Sequence, residues 1–112
     1  MDSRLIYIVS RHSISKIEWL NPTKENGAWI FVGDGDEVKK SFVFKCISEH
    51  FTDNILYVSW TRNGSIETSK ENIESAIKDI LGKADFFIWD IQFKRVIEFN
   101  ESGVMRLGEV KS

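Results

Sequence analysis

Short apolar runs, separated by polar segments that contain glycine, account for most of the chain. The first run covers residues 5–10 and is rich in β-branched and aromatic side chains, which predicts a largely buried strand. The apolar positions in residues 14–20 fit either a helix or a second strand, and Pro22 ends either one; we favour the strand. Residues 28–32 form an apolar run bounded by glycines and predict a further strand.

After that strand, a segment that contains glycine is followed by apolar residues at helical spacing. Asp34 and Asp36 can each accept hydrogen bonds from the backbone N–H groups at a helix start, and Glu37 favours the same end electrostatically. The apolar side chains that follow cover a wide arc of a helix, although the run 42–44 also permits a strand. The pattern predicts a first helix over about residues 36–50, buried along much of its surface.

A second helix is predicted from its start signal, its spacing and its end. Thr68 and Glu71 fit a capping box, in which the side chain of each residue bonds to the backbone of the other. From Ile73 to Leu81 the apolar residues recur at i, i+3, i+4, i+7 and i+8, and Gly82 stands where a left-handed residue ends a helix.

The remaining pattern predicts a hairpin and a β-meander. Asn63 and Gly64 tolerate positive φ and give a strong hairpin signal between a strand at 55–60 and a return strand at 65–67. The meander strands are predicted at 86–89, 95–99 and 104–107, joined by turns at 90–93 and 100–103. We therefore expect a single α+β domain over residues 1–112, with two layers: a mostly antiparallel sheet and two helices packed on one of its faces.

Composition and charge narrow the class of protein. The chain has 112 residues, of which 42% are hydrophobic, and its 15 Lys and Arg against 17 Asp and Glu give a net charge of −2. That balance lacks the positive field needed for non-specific phosphate binding, so nucleic acid is not expected as a partner. The first apolar run is too short for a signal peptide or a membrane span, and Cys46 has no second cysteine to pair with. These features predict a cytoplasmic protein.

Candidate catalytic residues do not form a recognisable motif. Cys46 and His50 are four residues apart on one predicted helix, but two side chains do not complete a metal site or a nucleophile with its oriented base. Glu18, Asp90 and Glu98 lie on or beside predicted strands, and nothing in the sequence places them together as a carboxylate pair. The sequence therefore favours a non-catalytic protein, and we expect no metal and no cofactor.

Tryptophan and acidic side chains are the candidates for a partner-binding surface. Trp19 and Trp60 each lie beside charged residues near a predicted turn, as an exposed anchor for a protein partner would. Asp34, Asp36 and Glu37 concentrate negative charge, which would repel a phosphate and attract a basic partner. These five residues form the predicted partner-binding set.

The C-terminal third carries a family resemblance. Residues 86–90, 96–100 and 103–108 resemble the closing strands of small bacterial immunity proteins, which neutralise toxins delivered between competing cells. The resemblance implies a cytosolic protein that binds one cognate toxin domain, often a basic nuclease, and blocks its active site or substrate surface.

Two other functions are consistent with the sequence. One is a small ligand-binding or enzymatic domain, with a pocket between sheet and helices faced by Asp90, Glu98, Cys46 or His50. The other is a homo-oligomer whose interface is the wide apolar arc of the first predicted helix.

Overall fold

The computed structural model describes residues 1–20 and 28–111. These residues form a seven-stranded antiparallel sheet with helices packed against it. The elements in chain order are α1 (Ser3–Ser13), β1 (Ile17–Trp19), β2 (Ile30–Phe31), α2 (Lys40–His50), β3 (Ile55–Ser59), β4 (Ile66–Ser69), α3 (Ile73–Ile77), β5 (Phe86–Asp90), β6 (Arg95–Asn100) and β7 (Val104–Val110). The strand order is β1-β7-β6-β5-β3-β4, and β2 also pairs with β7. The predicted α+β class and mostly antiparallel sheet are confirmed.

Helices cover both faces of this sheet. Because side chains alternate along a strand, Leu56 and Val58 point to the face where α2 and α3 pack, while Tyr57 points to the face where α1 packs. We call these the α2/α3 face and the α1 face. The predicted pair of helices on one face is confirmed, and α1 adds a helix on the other.

The N-terminal segment is a helix, so the strand predicted at residues 5–10 is wrong. Asp2 precedes the helix, and its carboxylate accepts a hydrogen bond from the backbone N–H of Leu5 at 2.9 Å. Ile6 and Ser10 are four residues apart, so they lie on one side of α1, and both are fully buried against the sheet. The Trp89 indole Nε1 donates to the Ser10 hydroxyl at 2.8 Å, which ties the helix to β5.

The strands predicted within residues 14–20 and at residues 28–32 are both present, in shorter form. Within residues 14–20, Ile14–Lys16 form a short 3₁₀ turn, and only Ile17–Trp19 form the strand that we favoured, as β1. The strand predicted at 28–32 is confirmed as the short β2. Pro22 lies outside the described residues.

The predicted helix 36–50 begins four residues later, as α2, and neither Asp34 nor Asp36 caps it. Residues 35–37 instead form a separate 3₁₀ turn. Gly33 allows this because its φ is +88° and a Cβ there would come within 2.5 Å of the Glu37 carbonyl oxygen. The chain therefore turns tightly before the helix starts.

The second helix is also shorter than predicted, and the capping box is wrong. Thr68 belongs to β4, whereas the Ser69 hydroxyl accepts a hydrogen bond from the backbone N–H of Asn72 at 3.1 Å. The regular helix covers Ile73–Ile77 and continues as turns to Gly82, whose φ of +76° confirms the predicted left-handed residue.

The hairpin and the meander are confirmed, with one change of turn geometry. Neither Asn63 nor Gly64 has positive φ; the loop is closed by Thr61, whose hydroxyl accepts from the Gly64 N–H at 2.8 Å. Both meander turns are held by the first side chain of the turn, Asp90 and Asn100. Within residues 1–20 and 28–111, none of the helices has the length and apolarity needed to cross a membrane.

Candidate functional site

Four side chains lie in one row across the α1 face of the sheet. In the strand register, Ser59 of β3 pairs with Phe87 of β5, Phe87 with Glu98 of β6, and Glu98 with Arg106 of β7. Directly paired residues project to the same face, with Cβ atoms about 5 Å apart. The register therefore places a hydroxyl, an aromatic ring, a carboxylate and a guanidinium side by side, and we call these four residues the transverse row.

At one end of the transverse row, Arg106 is stacked between two tryptophans. Its Cζ atom lies 3.8 Å from the ring centroid of Trp19 and 4.2 Å from that of Trp29, and its Nε donates to Glu98 Oε1 at 2.7 Å. Contacts of this kind between a cation and an indole contribute about 0.5–2 kcal/mol each. Gly108 makes the packing possible, because a Cβ there would come within 2.8 Å of the Trp19 ring. We call this arrangement the Arg106 stack.

At the other end, a groove runs between α1 and the sheet. It encloses about 310 Å³, and the aromatic side chains that line it include Tyr7 of α1, Phe87 of β5 and Trp60, which directly follows β3. Ser59 and Glu98 of the transverse row also line it. We call it the α1 groove. Glu98 joins the two features, because its carboxylate faces the groove and holds Arg106.

The predicted tryptophans lie on this side of the molecule. Trp60 is 42% exposed, as predicted, and lines the α1 groove. Trp19 is half-buried, because Arg106 covers its ring. Trp89 is fully buried under α1.

The predicted acidic residues lie elsewhere. Asp34, Asp36 and Glu37 are exposed in the turn between β2 and α2. This turn contacts the α3 region, by which we mean α3 and the turns that follow it as far as Lys83. The Gly35 N–H donates to the Gly82 carbonyl oxygen at 2.9 Å. The structure therefore does not bring the acidic residues together with Trp19 and Trp60.

The surroundings of the acidic turn are of mixed charge. Asp36 borders a cleft of about 280 Å³ between α2 and the α3 region. Lys40, Lys78 and Lys83 line the same cleft, together with Glu74. The lysines offset part of the negative field that the sequence assigned to this turn.

Cys46 and His50 share α2 but do not form a reactive pair. His50 is buried, and its Nε2 donates to the Gly108 carbonyl oxygen at 3.1 Å. Burial lowers the pKa of His50, with a further lowering from the nearby Arg95 guanidinium. Burial raises the pKa of the Cys46 thiol, which keeps the sulfur protonated.

The carboxylates considered from the sequence are held separately. Asp90 accepts hydrogen bonds from the backbone N–H groups of Lys94 and Arg95, at 2.7 and 3.1 Å, and so holds the turn after β5. Glu18 is paired with Lys111 at 2.7 Å on the edge strand β1. Among residues 1–20 and 28–111, no group of three or more His, Cys, Asp or Glu side chains is arranged to hold a metal ion.

Sequence reasoning missed half of the Arg106 stack. Neither Trp29, within the predicted strand at 28–32, nor Arg106 was singled out, because their meeting depends on the pairing of β7 with both β1 and β2. Ser59 was also missed, since a serine in an apolar strand has no distinguishing local pattern. Comparison of the chain with protein-family models, with curated proteins and with solved structures gives no match.

Proposed function

We propose that this protein is a non-catalytic protein-binding domain of the immunity type, which binds and neutralises a cognate bacterial toxin in the cytoplasm. The observation that carries the proposal is the Arg106 stack. Tryptophan, tyrosine and arginine are the residues most enriched at the energetic centres of protein interfaces. Here an arginine and two tryptophans are already packed together on one sheet face.

The geometry of the stack suits an interface because it is ordered before a partner arrives. Trp19, Trp29 and Glu98 hold the guanidinium in one place, so little side-chain entropy is lost on binding. The Arg106 side chain is 26% exposed, so part of it stays accessible to a partner. Trp60 and Tyr7 extend the aromatic surface along the α1 groove.

The net charge of the chain and its resemblance to immunity proteins favour a basic protein as the partner. A net charge of −2 and the exposed acidic turn at Asp34, Asp36 and Glu37 favour a basic partner. The β5, β6 and β7 meander is the part that resembles immunity proteins, and it contributes Phe87, Glu98 and Arg106 to the site. In this proposal the aromatic face forms the contact and the acidic turn accelerates the encounter.

Affinity capture with matched variants tests the proposal. The purified domain serves as bait against lysates of the source cell and its close competitors, beside Arg106→Lys and the control Lys45→Ala. The lysine keeps the charge but lacks the planar fork that stacks on indole. Lys45 is exposed on α2, on the opposite face.

We expect one stoichiometric protein that wild type and Lys45→Ala retain and that Arg106→Lys binds about tenfold more weakly, a difference of about 1.4 kcal/mol. The recovered protein is then expressed, and its toxic activity should be inhibited at a one-to-one ratio. Recovery of no protein by a folded bait, or equal binding by Arg106→Lys, would contradict the proposal.

A further inference from the structure

We infer that the α1 groove receives the guanidinium or ammonium group of an arginine or lysine side chain of the partner. This inference rests on the proposed function and identifies the chemistry of one contact within it. The groove is defined by Ser59, Phe87 and Glu98 of the transverse row, with Tyr7 and Trp60 as side walls.

Ser59 provides a hydroxyl that a polar group in the groove can bind. Its exposed fraction is only 4%, and its hydroxyl makes no hydrogen bond with any described residue. Every fully enclosed side-chain N or O atom of the described residues has a partner, so the Ser59 hydroxyl must reach the groove. A nearly buried hydroxyl without a partner is unfavourable unless a ligand or water satisfies it.

Glu98 supplies the charge that selects a cation. Arg106 binds Oε1, and no described residue donates to Oε2. The Glu98 side chain is only 18% exposed, so its carboxylate is held in place and partly shielded from water. A hydrogen bond to an ionised carboxylate is about twice as strong as one between neutral groups, and a cationic donor adds the attraction between opposite charges.

The other charged groups that line the groove do not reverse this preference. Asp85 adds a second carboxylate, and its Oδ1 accepts the backbone N–H of Glu101 at 2.8 Å. Arg11 is the one cation among the lining residues, and its guanidinium lies over the Tyr7 ring at 5.9 Å, on an exposed side chain. The lining itself therefore has two acids against one base, and Arg106, which lies outside the lining, pairs with Glu98 through Oε1.

The dimensions match a single side chain. Ser59 and Glu98 flank Phe87 on either side, so their strands are two interstrand spacings apart, about 10 Å. A planar guanidinium or an ammonium over the Phe87 ring would gain a cation–π contact while donating towards both polar ends. The volume of about 310 Å³ is at the lower limit for small-molecule sites and fits the end of one protein side chain.

A titration with capped amino acids tests the inference without a protein partner. The probes are Nα-acetyl-arginine methylamide, its lysine analogue and the neutral citrulline analogue. Binding is followed by NMR through the Trp60 indole N–H and the backbone N–H groups of Ser59 and Phe87. We expect saturable chemical-shift changes with a dissociation constant of about 1 mM for the arginine or lysine probe. The citrulline probe should bind at least about tenfold more weakly.

Matched variants locate the contact. Glu98→Gln keeps an oxygen that can accept from Arg106 Nε but removes the charge, and it should weaken binding about tenfold. Ser59→Ala, a small change, gives a second test that does not disturb the Arg106 stack. The control is Glu18→Gln, because Glu18 is an exposed carboxylate on β1, outside the groove.

The absence of saturable shifts up to about 100 mM probe would overturn the inference. Equal binding of citrulline, or undiminished binding by both Glu98→Gln and Ser59→Ala, would do the same. The outcome is separate from that of the capture experiment. A partner lost with Arg106→Lys would keep the proposed function standing even if no cationic probe entered the groove.

Discussion

Replacing Ser10 by alanine tests how α1 is attached to the sheet. Ser10 and Trp89 are both fully buried, and their side chains share one hydrogen bond of 2.8 Å. Alanine fits the same space but leaves the indole N–H without an acceptor, which costs about 1–3 kcal/mol in a buried site. Because a domain of this kind has a total stability of about 5–15 kcal/mol, the loss is well within the range of a urea titration.

The assay is equilibrium unfolding followed by circular dichroism, with Ser13→Ala as the control. Ser13 also lies on α1, but its hydroxyl donates only to the Val9 carbonyl oxygen within the helix, so we expect a change below about 0.5 kcal/mol. In a Trp89→Phe background the indole N–H donor is absent. Ser10→Ala should then lower the free energy of unfolding by about 1 kcal/mol less than it does in the wild-type protein. A loss below about 0.5 kcal/mol for Ser10→Ala in the wild-type background would refute the attachment.

Two further predictions concern charge. Changing Asp34, Asp36 and Glu37 to lysine should slow association with a purified basic partner about tenfold at low salt and flatten its salt dependence, measured by stopped flow; an unchanged rate would remove the acidic turn from the encounter. Because burial lowers the pKa of His50 below 6.5, the unfolded chain binds that proton more tightly. The free energy of unfolding should therefore fall as the pH drops below about 6.5, by at most about 1.4 kcal/mol per pH unit. His50→Gln should reduce this slope, and an unchanged slope in urea titrations would contradict the assignment.

The α1 segment was predicted as a strand because its apolar pattern does not distinguish a strand from a helix. Residues 5–10 contain adjacent apolar side chains that fit a strand and also fit one side of a helix. The signal that favours the helix is Asp2, which stands where an N-cap residue is preferred. The burial of Ser10 has no local signal, because its partner Trp89 is 79 residues away along the chain.

The candidate site was predictable in its residue types rather than in its arrangement. Trp19 and Trp60 were selected because exposed aromatic residues mark interfaces, and both lie on the α1 face. Arg106 and Glu98 become neighbours through a single register pair between β6 and β7. A shift of that register by one residue would turn the side chains of β7 to the other face, so strand register decides whether the site exists.

The pairing of β7 has a consequence for how this sheet can meet other chains. Its outer edge is paired with β2 near Val104 and with β1 near Val110, and the Leu20 N–H donates to the Leu107 carbonyl oxygen between them. Backbone groups along this edge are therefore occupied, whereas β4 at the opposite end pairs on one side only within the described part of the chain. Among the described residues the other edge strands, β1 and β2, have only three and two residues, whereas β4 has four. We therefore expect any intermolecular extension of the sheet, in a complex or in an aggregate, to begin beside Ile66–Ser69.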